Sequence, residues 1–143
     1  MIKFRAWNGY RKIMADYVSA IQNGDTQGTS SSVNVIINRK NETWDIKNDD
    51  VELLQFTGLK DTNGKEIYES DILRVTTGED GESYVATVKW FGDEGYPAFD
   101  LAGIPAAWYY DSSALATIFE GGVGTCEAIG NIFDNPKPLE GKR

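Results

Sequence analysis

The chain has 143 residues, with 22 Asp/Glu against 14 Lys/Arg, a net charge of −8, one cysteine and no histidine. A chain of this length is expected to form one domain, with room for a small appendage, and is long enough to bury a core. Its 41% hydrophobic content is that of a folded rather than a disordered protein. The lone cysteine excludes an internal disulfide. The missing histidine removes the commonest base at neutral pH, the Ser-His and Cys-His dyads, and most zinc sites.

The chain reads as short strands separated by turns. Residues 2-IKFRAW-7 alternate Ile2, Phe4 and Ala6 against Lys3, Arg5 and Trp7. Asn8-Gly9 predicts a tight turn that returns YRKIMADYV as a second strand. The polar stretch 22-QNGDTQGTSSS-32 predicts a loop. Val33, Val35 and Ile37 then alternate up to a turn at 38-NRKNE-42, with 43-TWDI-46 returning and 47-KNDD-50 ending that strand. Leu54 and Phe56 share one strand face. Asp61-Thr62-Asn63-Gly64 has the chemistry of a turn closing on a left-handed residue, because Asp bonds its own following backbone and Gly accepts positive φ. That turn folds 65-KEIY-68 back beside 56-FTGL-59.

A second change of direction at Glu69-Ser70-Asp71 leads into the strand 72-ILRVTT-77. The loop 78-GEDGES-83 follows, and then 84-YVATVKW-90, with Ala86, Val88 and Trp90 on one face. The loop 91-FGDEGYP-97 comes next, and the stretch after it, 99-FDLAGIPAAWYYDSSALATIF-119, shows no clean period. The stretch 113-SALATIF-119 reads as a strand because a Gly-rich turn follows it, and 125-TCEAIGNIF-133 as a final strand. Gly130 within that strand predicts a bulge or a close backbone approach. Turn signals every eight to twelve residues predict a mainly β fold with little helix, a small barrel or sandwich of short antiparallel hairpins.

Charge is distributed unevenly. Residues 1–40 hold six Lys/Arg and two Asp/Glu, whereas residues 75–136 hold Lys89 alone against ten acidic residues. An acidic chain lacks a broad phosphate-binding surface. The basic start, with Lys3, Arg5, Arg11 and Lys12, is nevertheless a candidate local contact for nucleic acid. Carboxylate pairs at Glu69/Asp71, Asp49/Asp50 and Asp93/Glu94 fall in turns or loop edges, where strand neighbours face opposite ways. No catalytic residue is assigned. The Asp61–Gly64 turn does not fit a calcium loop, since its Gly is fourth and position twelve is Ile72; no metal or cofactor is expected. Cys126, in an apolar strand, reads as a buried thiol. Trp7, Tyr68, Trp90, Trp108, Tyr109 and Tyr110 are the aromatic pool for a ligand surface, and Tyr68 is a binding candidate within it. Most of this pool is expected in the core.

Three pieces of the chain, 3-KFRAW-7, 54-LQFTGLKDTNGKEIYESDI-72 and 127-EAIGNIFDNPKPL-139, resemble the YopX family, proteins of unknown function carried mainly by phages and prophages of Gram-positive bacteria. The family typically reads TGLKDKNGKEIYEGDI, and 57–72 departs from it at Thr62 and Ser70. Ser70 stands where the family usually has Gly, so a positive φ there would cost roughly 1 kcal/mol. The resemblance implies an SH3-like β-barrel with no catalytic residues to carry over. One compact domain is expected: an N-terminal β-hairpin region over 1–53 with its loop at 22–32, a barrel core over 54–136, and a frayed tail over 137–143.

With no apolar window of membrane-spanning length and no signal-peptide core in MIKFRAW, the expected location is the cytoplasm of the host bacterial cell, without a membrane or disulfide-linked partner. The expected function is that of a non-catalytic phage or prophage accessory module that binds a protein partner or itself. The alternatives are nucleic-acid binding through the basic start, or an acidic DNA mimic that inhibits a host enzyme.

Overall fold

The computed structural model describes residues 3–22, 31–77, 82–91, 99–103, 118 and 124–140. The chain divides into two compact units, Met1–Phe56 and Thr57–Arg143. The fold is mainly β and antiparallel, in keeping with the expected small barrel or sandwich.

In the first unit, strand β1 (Phe4–Asn8) lies between β2 (Ile13–Ala15) and the start of β6 (Val51–Lys60), with Ala6 opposite Ala15 and Leu53. The turn after β1 is longer than Asn8-Gly9 predicts. Asn8 opens it rather than centring it: its Oδ1 accepts the Arg11 N–H at 2.8 Å and its carbonyl accepts the Lys12 N–H at 2.8 Å. Lys12 then closes the turn at φ 60°. An Asn side chain that caps its own turn leaves the chain no need to reverse within two residues.

The return strand is also cut in two. After β2 the chain passes through Asp16, whose N–H bonds the Ile36 carbonyl at 3.0 Å, and continues as β3 (Tyr17–Gln22) in a different sheet. That sheet has the order β3-β4-β5, with β4 (Ser32–Ile37) and β5 (Lys40–Asp45). The β4–β5 turn is only Asn38-Arg39, at φ 52° and 67°. Two consecutive left-handed residues make the hairpin turn whose twist suits its flanking strands, so Lys40–Glu42, expected in the turn, belong to the strand. Val33, Val35 and Trp44 project into a core shared with Ala6, Ala15, Val18 and Val51. Val33 and Val35 are fully buried, which stabilises the unit by about 2 kcal/mol each.

In the second unit the end of β6 neighbours β7 (Glu66–Tyr68), and the Thr57 hydroxyl donates to the Ile67 carbonyl at 2.8 Å. The main sheet runs β10-β9-β8-β11, from β8 (Asp71–Thr77), β9 (Ser83–Trp90), β10 (Phe99–Ala102) and β11 (Gly124–Asn131). Leu73 and Val75 of β8, Tyr84, Ala86 and Val88 of β9, Leu101 of β10 and Cys126 of β11 pack into one core with Ile67. Trp90 continues the Ala86/Val88 face beyond the core, where it is exposed and meets Phe99 edge-on at 5.0 Å between ring centroids.

The predicted irregularity in β11 is present, its register against β8 shifting between Ala128 and Gly130. A Cβ on Gly130 would lie 2.5 Å from the Asn135 carbonyl oxygen and 3.1 Å from Pro138 Cγ. Part of the expected frayed tail is ordered instead: Lys137–Glu140 form a short helical turn, held by the Leu139 N–H on the Pro136 carbonyl at 2.9 Å. Of the stretch expected as a strand at 113–119 only Ile118 is described; it is helical and buried in the core. The loops expected at 22–32, 78–83 and 91–97 and the turn at 121–124 fall largely outside the described residues.

Candidate functional site

Among the described residues of the second unit, a dense set of hydrogen bonds joins the central motif to β11. Asp61 accepts three backbone N–H groups, Asn63 and Lys65 on Oδ1 at 2.9 Å each and Ala128 on Oδ2 at 2.8 Å. Burial alone would raise its pKa. The bonds from Ala128, Lys65 and Asn63, aided by the Lys65 charge, outweigh burial and hold the carboxyl below its ordinary 3.8. The turn closes with Gly64 at φ 82°, as its sequence predicts. Next to it the Thr62 N–H and hydroxyl both donate to the Cys126 carbonyl at 2.9 Å.

One step along, Asp71 repeats the device. Its Oδ2 accepts the Tyr68 N–H at 2.8 Å and its Oδ1 accepts Asn131 Nδ2 at 2.9 Å. Asn131 in turn takes the Phe133 N–H on its own Oδ1 at 2.9 Å and exchanges two backbone bonds with Asn135. Between these two carboxylates Ser70 sits at φ 74°, the left-handed conformation that a Gly would hold more cheaply. Its N–H donates to the Val88 carbonyl at 2.9 Å, and its own carbonyl accepts the Ile132 N–H at 3.0 Å. Asp61, Asp71 and Asn131 are all buried. Their polar atoms hold backbone in place, which is a framework role.

The residues proposed from sequence are not brought together. Lys3 lies with its Nζ 5.4 Å from the centre of the Phe56 ring, and Arg5 is half-buried on β1. Arg11 and Lys12 lie beyond the other end of that strand, roughly 17 Å away at the usual strand rise. Arg11 is ion-paired with Glu42 at 2.7 Å. Bonds from Trp44 Nε1 and then from Arg11 hold the Glu42 carboxyl below its ordinary pKa. Tyr68 is a core residue at 3% exposure, its hydroxyl donating to Glu66 at 2.9 Å, so it offers no face to a ligand. Trp7 is buried too, while Trp108, Tyr109 and Tyr110 lie outside the described residues.

Among the carboxylate pairs, Asp71 is committed as above, and Asp49 accepts the Asp45 N–H at 2.9 Å within its turn. Asp93/Glu94 and much of the acidic stretch over 78–134 are outside the described residues. Among the described residues no three of His, Cys, Asp and Glu are grouped as a metal site, and no helix is long and apolar enough to cross a membrane. Burial, and then the Asp61 charge, push the Cys126 thiol up to about 11.

The sequence reading missed the feature most open to a partner. Strand β3 ends its sheet, hydrogen-bonded to β4 on one side and to no other strand among the described residues, with Lys3 and, at the start of β1, Phe4 beside it. Tyr17 and Ile21 on it are 40% and 45% exposed. They line a groove of about 300 Å³ with Lys3, Phe4, Val18, Ser19 and Ala20. The signal was available in 17-YVSAIQ-22, six residues without a charge. A second hollow, of about 160 Å³, lies over Thr62, Arg74, Thr76, Thr125 and Glu127, and Arg74 meets Glu127 across it at 3.6 Å.

The family described as "YopX protein" matches residues 3–140. The chain belongs to the YopX family. Two solved structures share the fold at low identity. The crystal structure of protein EF1440 from Enterococcus faecalis is 23% identical over 97% of this chain and 98% of its own, with a TM-score of 0.61. That of protein YopX from Bacillus subtilis is 21% identical over 94% and 95%, with a TM-score of 0.52. No curated protein matches. The YopX signature seen in the sequence, 54–72 and 127–139, coincides with the carboxylate framework. Membership of the YopX family thus accounts for the frame and leaves the working surface to be sought elsewhere.

Proposed function

We propose that the chain is a non-catalytic accessory protein of a phage or prophage that acts in the host cytoplasm by binding a protein partner. The single observation behind this reading is β3, a sheet edge with exposed Tyr17 and Ile21 beside an open groove. An unpaired strand presents N–H and C=O groups that a partner strand satisfies, and the flanking apolar side chains add area to the contact. The two buried carboxylates support the non-catalytic part, since their oxygens are taken up by backbone and amide donors.

Affinity capture from lysogenic or infected cells tests the reading, with wild-type protein beside Ile21→Asp. A protein retained by the wild type and lost with the variant is the expected result. Equal retention by both overturns β3 as the binding surface. Retention of DNA or RNA that falls steeply with salt would move the function to the basic start, Lys3 and Arg5 first.

A further inference from the structure

We infer that the partner of β3 is β3 of a second copy, the two strands pairing antiparallel about a two-fold axis to give a homodimer. This rests on the protein-binding reading above and names its partner. A single sheet would then run β5-β4-β3 in one copy and continue β3-β4-β5 in the other.

The strands at the sheet ends differ in how they are guarded. Proteins discourage edge pairing with charges, proline, short strands or bulges. Strand β5 carries Lys40, Glu42 and Asp45, β10 carries Asp100, β11 carries Glu127, and β2 and β7 have three residues each. Only β3, among these ends, is six residues long and without charge or proline. Its bulge lies at Ser19, between Val18 and Ala20.

That bulge makes the strand self-complementary. Val18 and Ile21 stand opposite Val35 and Val33, which face the core, whereas Tyr17, Ala20 and Gln22 stand opposite Ile36, Asn34 and Ser32 on the other face. Antiparallel pairing about the midpoint of Ser19 and Ala20 sets Val18 against Ile21 of the second copy and Tyr17 against its Gln22. Like faces meet at both of these pairs. Sliding by one residue puts Val18 against Ala20 and breaks the match. At the axis the bulged Ser19 meets Ala20, two small side chains.

Charge agrees with this choice of surface. Residues 1–56 hold seven Lys/Arg and seven Asp/Glu, while residues 57–143 hold seven and fifteen. A contact through the first unit therefore brings together segments whose own charges balance, whereas one through the second sets like charges against each other. Two six-residue strands bury less than the roughly 1,200 Å² of a standard interface, so the dimer is weak and forms only at high protein concentration.

Sedimentation velocity on the full chain from a few micromolar to several hundred micromolar, with Ala20→Lys alongside, is the test. Ala20 is exposed, so lysine there leaves the fold intact while placing two ammonium groups beside the axis. The expected result is a concentration-dependent dimer in the wild type, weakened at least tenfold in Ala20→Lys and unchanged in Asn41→Lys on β5. Circular dichroism confirms folding, and Gln22→Lys replaces Ala20→Lys should the latter unfold. A dimer that survives the β3 lysine, or a wild type that stays monomeric throughout, overturns the inference. If the monomer still captures a cellular protein that Ala20→Lys loses, the binding reading stands without self-pairing. If that capture is also unaffected, both fail.

Discussion

The two units use their polar residues in opposite ways. In Thr57–Arg143, Asp61 and Asp71 are buried and bond groups distant in sequence, the Ala128 N–H and the Asn131 side-chain amide. In Met1–Phe56, charged groups such as Arg11 and Glu42 meet at the surface, and the core is built of Ala, Val and Trp. Both units have an apolar core, to which the second adds buried carboxylates of fixed hydrogen-bond geometry. A motif kept by geometry is easy to recognise in sequence, and for the same reason its side chains are occupied. The open edge lies in the unit whose sequence is less distinctive.

Substitutions ordered by expected effect sharpen that contrast. Asp71→Ala removes the buried bonds to the Tyr68 N–H and the Asn131 amide; urea melts should show a loss of about 3–4 kcal/mol. Asp61→Ala should cost about 3 kcal/mol by the same route. In the wild type the Asp61 contribution carries a pH signature. Its folded pKa lies below the ordinary 3.8, so the stabilisation is complete above about pH 4 and is lost as pH falls through the folded value. Asp61→Asn should flatten that acid limb of the stability curve.

Gly130→Ala, which drives a Cβ towards the Asn135 carbonyl, should cost about 2 kcal/mol. Ser70→Gly works in the other direction. Relief of the left-handed strain, partly offset by the freer unfolded chain, should raise stability by roughly 0.5–1 kcal/mol. Arg11→Ala, breaking an exposed pair in the first unit, should leave the melting temperature nearly unchanged. A large loss there would break the comparison, because a surface pair would then be holding the fold. Cys126, buried and with its thiol pushed up to about 11, should react with a thiol reagent only on unfolding.

Much of this architecture was legible in the sequence because its signals are local. The Asp61–Gly64 turn, the alternation of Val33 and Val35, and the Gly130 irregularity each follow from residues within a few positions. What was not legible depends on distant chain. Nothing near Asn8 shows whether Asn-Gly centres a turn or whether Asn caps a longer one. The break at Asp16 depends on an Ile36 carbonyl twenty residues on. Tyr68 offered itself as an exposed aromatic, yet the core of its unit encloses it. The basic start looked like a patch only because sequence compresses the length of β1, and Glu42 lies far along the chain from Arg11. The β3 edge was missed because an uncharged strand reads the same whether its neighbour is present or absent.

The reach of the Asp61 and Asp71 bonds bears on how the protein is made. Their partners at Ala128 and Asn131 lie 67 and 60 residues downstream. During translation the signature turn therefore leaves the ribosome well before the segment that completes it. Closing such distant contacts slows folding. The nascent second unit must wait, its two carboxylates hydrated, until residues 128–131 have emerged.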